Sequence, residues 1–174
     1  MSELATRAGK TLISYVIFRY AMTYLDVKRI LMIVPGIDLV KQGYEDFVEY
    51  GEFFNTECVW GGGKLVESSN LTIGTFTSLV SFLDPSNKKY NPKFFDSYDC
   101  VFVDETHRAN AKSIKDILQQ PFMKSTKLVF GMTGTLPKPY TIDSYALHTL
   151  LGAKIQTIKA DDLIQQGYIS PVKI

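Results

Sequence analysis

The sequence predicts an α/β domain with a mainly parallel sheet flanked by helices on both faces. Two observations carry that reading. Arg29 to Val34, Cys100 to Val103 and Lys127 to Met132 hold short apolar runs, rich in β-branched and aromatic residues, and Leu71 to Gly74 reads as another strand. Strands buried on both faces of a parallel sheet read this way. Between them lie segments whose apolar residues recur at helical spacing, and strands that alternate with helices make parallel sheets through crossovers. No internal repeat, low-complexity run or linker divides the 174 residues, so one domain over 1–174 is expected.

Taken in order, Leu4-Ala5-Thr6-Arg7-Ala8-Gly9-Lys10-Thr11 opens the chain, and Leu12, Ile13, Val16, Ile17, Tyr20 and Leu25 follow at helical spacing. A turn ending in Gly-Lys-Thr at a helix start is a phosphate cradle. Glycine lets the backbone approach the phosphates, and the helix start supplies N–H groups and positive dipole. Lys10 can reach the β- and γ-phosphates, and the Thr11 hydroxyl can ligate Mg2+. The full pattern asks for a glycine five residues before Gly9, where this chain has Leu4. Taken alone, the stretch also reads as a helix capped by Thr6 that carries a chance Gly-Lys-Thr.

Pro35 stops the strand that begins at Arg29. Ile37 to Tyr50 predicts a helix with Ile37, Val40, Tyr44, Phe47 and Val48 inward and Lys41, Glu45 and Glu49 outward. Cys58-Val59-Trp60 reads as a short strand leading into Gly61-Gly62-Gly63, a flexible turn that would also let backbone lie against a phosphate chain. After Leu71 to Gly74, Thr75 is the candidate cap of a helix reaching Leu83, and Asp84 to Phe94 is an exposed loop with Lys88-Lys89 solvated. A helix near Ala111 to Leu118 turns Ile114, Ile117 and Leu118 inward. Helices at Ser144 to Leu151 and Asp161 to Gln166, with strands at Lys154 to Ile158 and Ile169 to Ile174, complete the pass. His148 reads as a packed or surface histidine rather than a ligand.

The run Cys100 to Val103 organises the rest, because it ends in Asp104-Glu105-Thr106-His107. Burying adjacent carboxylates is costly, so they belong at the strand's carboxyl end, where open α/β sheets bind ligands. Neighbouring side chains on a strand point opposite ways, so one acid can hold a metal through its water while the other orients or deprotonates an attacking water. The alternative is a strand running into a helix whose first turn is acidic. A phosphate cradle and an acidic strand end in one chain are two halves of one site, which favours the first reading.

Composition narrows the class. Nineteen basic against eighteen acidic residues leave a net charge of +1, so any nucleic-acid contact must be local. Cys58 and Cys100 are far apart and suit reduced thiols in a cytoplasmic protein rather than a disulfide framework. No signal peptide is recognisable, and Thr11 to Leu25, interrupted by Arg19, is too short to span a bilayer.

With these motifs in order, the chain resembles the first RecA-like domain of a superfamily 2 helicase. Residues 5–11 resemble motif I, 34–42 motif Ia (with Gly36 where Thr or Ser is usual), 74–79 motif Ib, 104–107 motif II and 133–135 motif III. Gly61-Gly62-Gly63 and Gly131-Met132-Thr133-Gly134-Thr135-Leu136-Pro137 are most similar to the phage UvsW-type recombination and repair helicases. The resemblance implies a RecA-like P-loop fold and ATP with Mg2+ as cofactors. It places the nucleotide on Thr6, Arg7, Ala8, Gly9, Lys10 and Thr11, and the metal on Thr11 and Asp104. Lys10, Asp104 and Glu105 would carry catalysis, His107, Thr133 and Thr135 would couple the two sites, and Pro35, Gly36, Gln42, Gly62 and Thr75 would touch nucleic acid. Such contacts position a strand without reading its sequence.

The resemblance further implies two partners, a nucleic acid (DNA before RNA) and a second RecA-like domain in cis or trans. Almost no room stands before Leu4 for the strand expected to lead into the phosphate loop, and no second domain is expected within the chain. Two functions follow: the ATP-binding half of a DNA-dependent ATPase or helicase, or a catalytically silent nucleotide or nucleic-acid binding module. A P-loop kinase or GTPase fits less well, since no guanine-reading Asn-Lys-x-Asp is present.

Overall fold

The computed structural model describes residues 2–4, 9–59, 69–105, 111–120, 125–138, 140–158 and 160–167. Seven strands, β1 (Ser2–Leu4), β2 (Ile30–Val34), β3 (Thr56–Val59), β4 (Leu71–Thr75), β5 (Cys100–Val103), β6 (Leu128–Thr133) and β7 (Gln156–Ile158), form one sheet in the order β3-β4-β2-β5-β6-β1-β7. Every described pairing is parallel. The helices are α1 (Lys10–Tyr24), α2 (Ile37–Glu49), α3 (Phe76–Val80), α4 (Ala111–Leu118), α5 (Ile142–Leu151) and α6 (Ala160–Gln165), with a 3-10 segment over Pro92–Ser97.

The continuous apolar runs are explained by burial on both faces. Leu31, Ile33, Val101 and Val103 join a core with α3, α4, α5 and the 3-10 segment. Ile30, Met32, Val34, Cys100 and Phe102 point the other way, into a core with α1 and α2. Phe18 is the hinge of that second core, edge-on to Phe102 and stacked on Phe47 with centroids 5.0 and 5.7 Å away. Both cysteines are free thiols, and Lys88 and Lys89 are exposed, as expected.

Three expectations are corrected, and the rotation of α1, which the sequence left open, is fixed. The lead-in strand exists: Ser2–Leu4 pairs with β6 and β7, Ser2 standing opposite both Met132 and Gln156. Three residues suffice because both neighbours supply ladder partners, and no apolar run is needed to mark them. In α1 the buried side is Ser14, Tyr15, Phe18 and Ala21, whereas Leu12, Val16 and Tyr20 are exposed. The helix is apolar on most sides, so periodicity left its rotation open, and the Tyr15 and Phe18 contacts with Phe47 and Phe54 fix it. In α2, Val40, Gly43 and Phe47 face the core while Ile37, Tyr44 and Val48 are exposed. Gly43 is buried on this inner face, and a Cβ there would make van der Waals contact with Ile73 at 3.4 Å. Finally, Asp104 and Glu105 lie beyond the end of β5, so strand alternation does not govern them.

Trp60, the three glycines, and the strand expected at 169–174 lie outside the described residues.

Candidate nucleotide site at the carboxyl edge of the sheet

The parallel ladder brings the ends of β2, β5 and β6 side by side, with Ile33 opposite Val103 and Val103 opposite Gly131. Asp104 continues this edge, its N–H donating to the Ile33 carbonyl at 2.8 Å. Its Oδ1 accepts the N–H of Glu105 at 2.9 Å. Glu105 then turns at φ 47°, a region L side chains seldom enter. That turn rules out the alternative of an acidic first helical turn, and α4, starting at Ala111, has no acid in its first turn.

Helix α1 begins at Gly9, whose φ of 70° is the left-handed conformation that glycine adopts without strain. No side chain caps it, so the first-turn N–H groups have no partner within the helix. Lys10 Nζ pairs with Glu105 Oε1, with 14% and 18% of the two side chains exposed. The second Glu105 oxygen accepts the Gly134 N–H at 3.3 Å. Gly134 is held in turn by Thr133, which is fully buried: its Oγ1 donates to the Thr135 carbonyl at 2.8 Å and accepts the Thr135 N–H at 3.3 Å. Lys10, Asp104, Glu105 and the 133–135 turn therefore form one connected cluster drawn from three separate parts of the chain.

Burial pushes the Asp104 carboxyl up to about 6, opposed by Lys10 and reinforced by Glu105. A carboxyl made costly to ionise by burial is one that a divalent cation can relieve. Thr11, half-buried in the first turn of α1, adds a hard oxygen. Among the described residues no group of three His, Cys, Asp or Glu could cage a metal.

The other expected residues divide. Val34 pairs with Thr75, so Pro35, Gly36 and Thr75 share the same carboxyl edge on neighbouring strands. The Thr75 hydroxyl is only 4% exposed as part of its residue and caps α3, accepting the Ser78 N–H at 3.2 Å. Gly36 is extended at φ −146°, and a Cβ there would meet nothing within 4 Å, so the backbone does not demand glycine. Gln42 is exposed on α2. Thr6, Arg7, Ala8, Gly62 and His107 lie outside the described residues. Sequence reasoning missed the Gly134 N–H and the Ile33 carbonyl, both main-chain groups that no side-chain pattern announces.

A phosphate-loop helix facing an Asp-Glu strand end on a parallel sheet defines a RecA-like P-loop domain of the superfamily 2 helicase class. The family described as type III restriction enzyme, res subunit, matches residues 1–138, and the chain belongs to it. The chain is 28% identical to the ATP-dependent DNA helicase UvsW of Enterobacteria phage T4, over 99% of its own length and 33% of that protein. It spans, then, about a third of that relative. A crystal structure of the T4 UvsW helicase superposes with a TM-score of 0.71 at 25% identity, covering 91% of this chain and 53% of that one. The Pyrococcus furiosus Hef helicase domain shares the fold, with a TM-score of 0.72 at 21% identity over 99% of this chain and 37% of its own. No helix among the described residues is long and apolar enough to cross a membrane.

Proposed function

We propose that this chain is the ATP-binding half of a cytoplasmic DNA-dependent ATPase that couples ATP hydrolysis to translocation, unwinding or branch migration of nucleic acid. The observation that carries the proposal is the convergence of Lys10, Asp104, Glu105 and the Gly134 N–H at one point of the carboxyl edge. Phosphoryl transfer depends chiefly on positioning and charge stabilisation, and these groups supply the parts. Lys10 would bind the β- and γ-phosphates beside the free N–H groups of α1, with residues 6–9 cradling the chain. Thr11 and Asp104 would hold Mg2+, which supplies charge neutralisation of the phosphates. Glu105, steadied by Gly134, would orient and deprotonate the attacking water. His107, Thr133 and Thr135 would relay between this site and the nucleic-acid track along Pro35, Gly36, Gln42, Gly62 and the backbone near Thr75, whose own hydroxyl is taken up in capping α3.

Charge developing on the γ-phosphoryl group calls for a further cation, worth about 10³–10⁵ in rate in related nucleotidases. Among the described arginines, Arg19 lies over the Phe53 ring, and Arg29 bonds Ser69 and Ser97 near the amino ends of the strands. A second RecA-like domain, in cis or trans, is the partner we assign to supply that cation. The test is phosphate release by the purified chain, with and without DNA, alone and with a separately supplied second domain. Turnover is expected only in the complemented mixture, and Glu105→Gln should abolish it while sparing nucleotide binding. Binding of ATP without turnover in any combination would select the silent binding module instead.

A further inference from the structure

We propose that the outer side of α1 is a self-association surface, on which a second copy of this chain packs its own α1 to form a two-fold dimer. The surface runs down the helix away from Lys10, and the proposal does not depend on the nucleotide reading.

A helix on the outside of a domain ordinarily shows water a polar side, and one that is apolar all round is enclosed. In α1 the polarity is inverted. Ser14 is buried, its hydroxyl donating to the Lys10 carbonyl at 2.9 Å. Leu12, Val16, Tyr20 and Tyr24, with Leu25 at the helix end, are 49%, 59%, 56%, 71% and 43% exposed. Ile13 and Ile17, partly buried against the core, broaden this apolar side. From Thr11 to Leu25 the only charged residue is Arg19, and its guanidinium lies over the Phe53 ring, 5.1 Å from the centroid.

Three features select a second copy as the occupant. Leu12, Val16, Tyr20 and Tyr24 stand four residues apart, so they form one continuous ridge. Two such ridges interdigitate in the commonest class of helix packing, and a two-fold contact needs a surface complementary to itself. The ridge carries no charge, so two copies meet without repulsion. A lipid surface, by contrast, is met by helices rich in lysine and arginine along their polar side. Finally, the area is sufficient. Taking about 200 Å² for a tyrosine and about 150 Å² for an aliphatic side chain, the five residues expose about 500 Å² per copy. Two copies would bury about 1,000 Å², the lower bound for a specific interface. Tyr20 and Tyr24 already pack together, with ring centroids 5.0 Å apart, so the bulkiest part of the ridge is ordered before the partner arrives.

The experiment is sedimentation velocity of the 174-residue chain over about 1 to 500 μM, the range suited to an interface at the small end of the specific class. The parent is expected to pass from monomer to dimer and no further. Val16→Glu and Val16→Lys each place two like charges across the two-fold, which should weaken the dimer at least about tenfold. An equal mixture of the two variants sets opposite charges against each other and should restore it. Tyr145→Glu makes the same change of charge at a position 60% exposed on α5, and should leave the dimer as it is. Circular dichroism shows that each variant is folded, and Tyr24→Glu, at the most open position of the ridge, replaces any Val16 variant that is not. A parent that stays monomeric throughout overturns the proposal, whether another protein or a lipid vesicle then takes the ridge. Association that survives both Val16 variants, that is lost equally in Tyr145→Glu, or that grows beyond the dimer overturns it too. So does a mixture no more associated than its two components.

Discussion

Replacing Asp104 by Asn should stabilise the protein at neutral pH, at the cost of the function proposed for it. Burial raises the Asp104 carboxyl from 3.8 to about 6. Between those values the folded protein binds a proton that the unfolded chain has released, so stability falls as pH rises through the window. Below about pH 4 the acid is protonated in both states and the penalty vanishes; above about pH 6 it is complete. The full gap corresponds to about 3 kcal/mol. Asp104 keeps some solvent contact, so about 1–3 kcal/mol is expected, or a rise in Tm of about 3–8 °C for a chain this size. Asparagine retains the Oδ1 that accepts the Glu105 N–H, so the local turn survives. The assay is urea unfolding of both proteins at pH 4 and pH 7.5. A variant no more stable than the parent at pH 7.5, or one with the same advantage at both pH values, would refute the reasoning.

Phe102→Ala should cost about 3–5 kcal/mol at any pH, because the ring is fully buried between Phe18 and Phe130; a shift in the urea midpoint measures it. Gly9→Ala should cost about 1–2 kcal/mol from the positive φ alone, since a Cβ there meets nothing within 4 Å. Gly9→Asn should recover part of that loss in thermal melts, and an unchanged Gly9→Ala protein would remove the backbone argument. DNA binding by this chain should be weak, indifferent to sequence and steeply salt-dependent, as phosphate contacts from a chain of net charge +1 would be. Filter binding across a salt series checks this, and tight binding that persists at high salt counts against a backbone track.

What could be read from the sequence and what could not have different physical origins. The run Cys100 to Val103 could be read because all four of its residues are apolar and buried, and the acids after it marked the sheet edge by their cost of burial. Thr75 was recognisable as a cap because its hydroxyl does local work, three residues from its Ser78 partner. The rotation of α1 was not readable, because Leu12, Val16, Tyr20 and Tyr24 line its exposed side as densely as Tyr15 and Phe18 line its buried one. Strand β1 carries no apolar run, since its place is set by two neighbours already in register. Gly43 was invisible to any count of apolar residues, although it is buried on the inner face of α2 beside Ile73. The hold on Glu105 escaped for a deeper reason: it depends on a backbone angle and on the Gly134 N–H, groups that residue types scarcely encode. The motifs name the side chains that can do chemistry. How Glu105 is aimed is settled by main chain from β5 and β6 together, and this separation is why a site can be listed from sequence while its control is visible only in three dimensions.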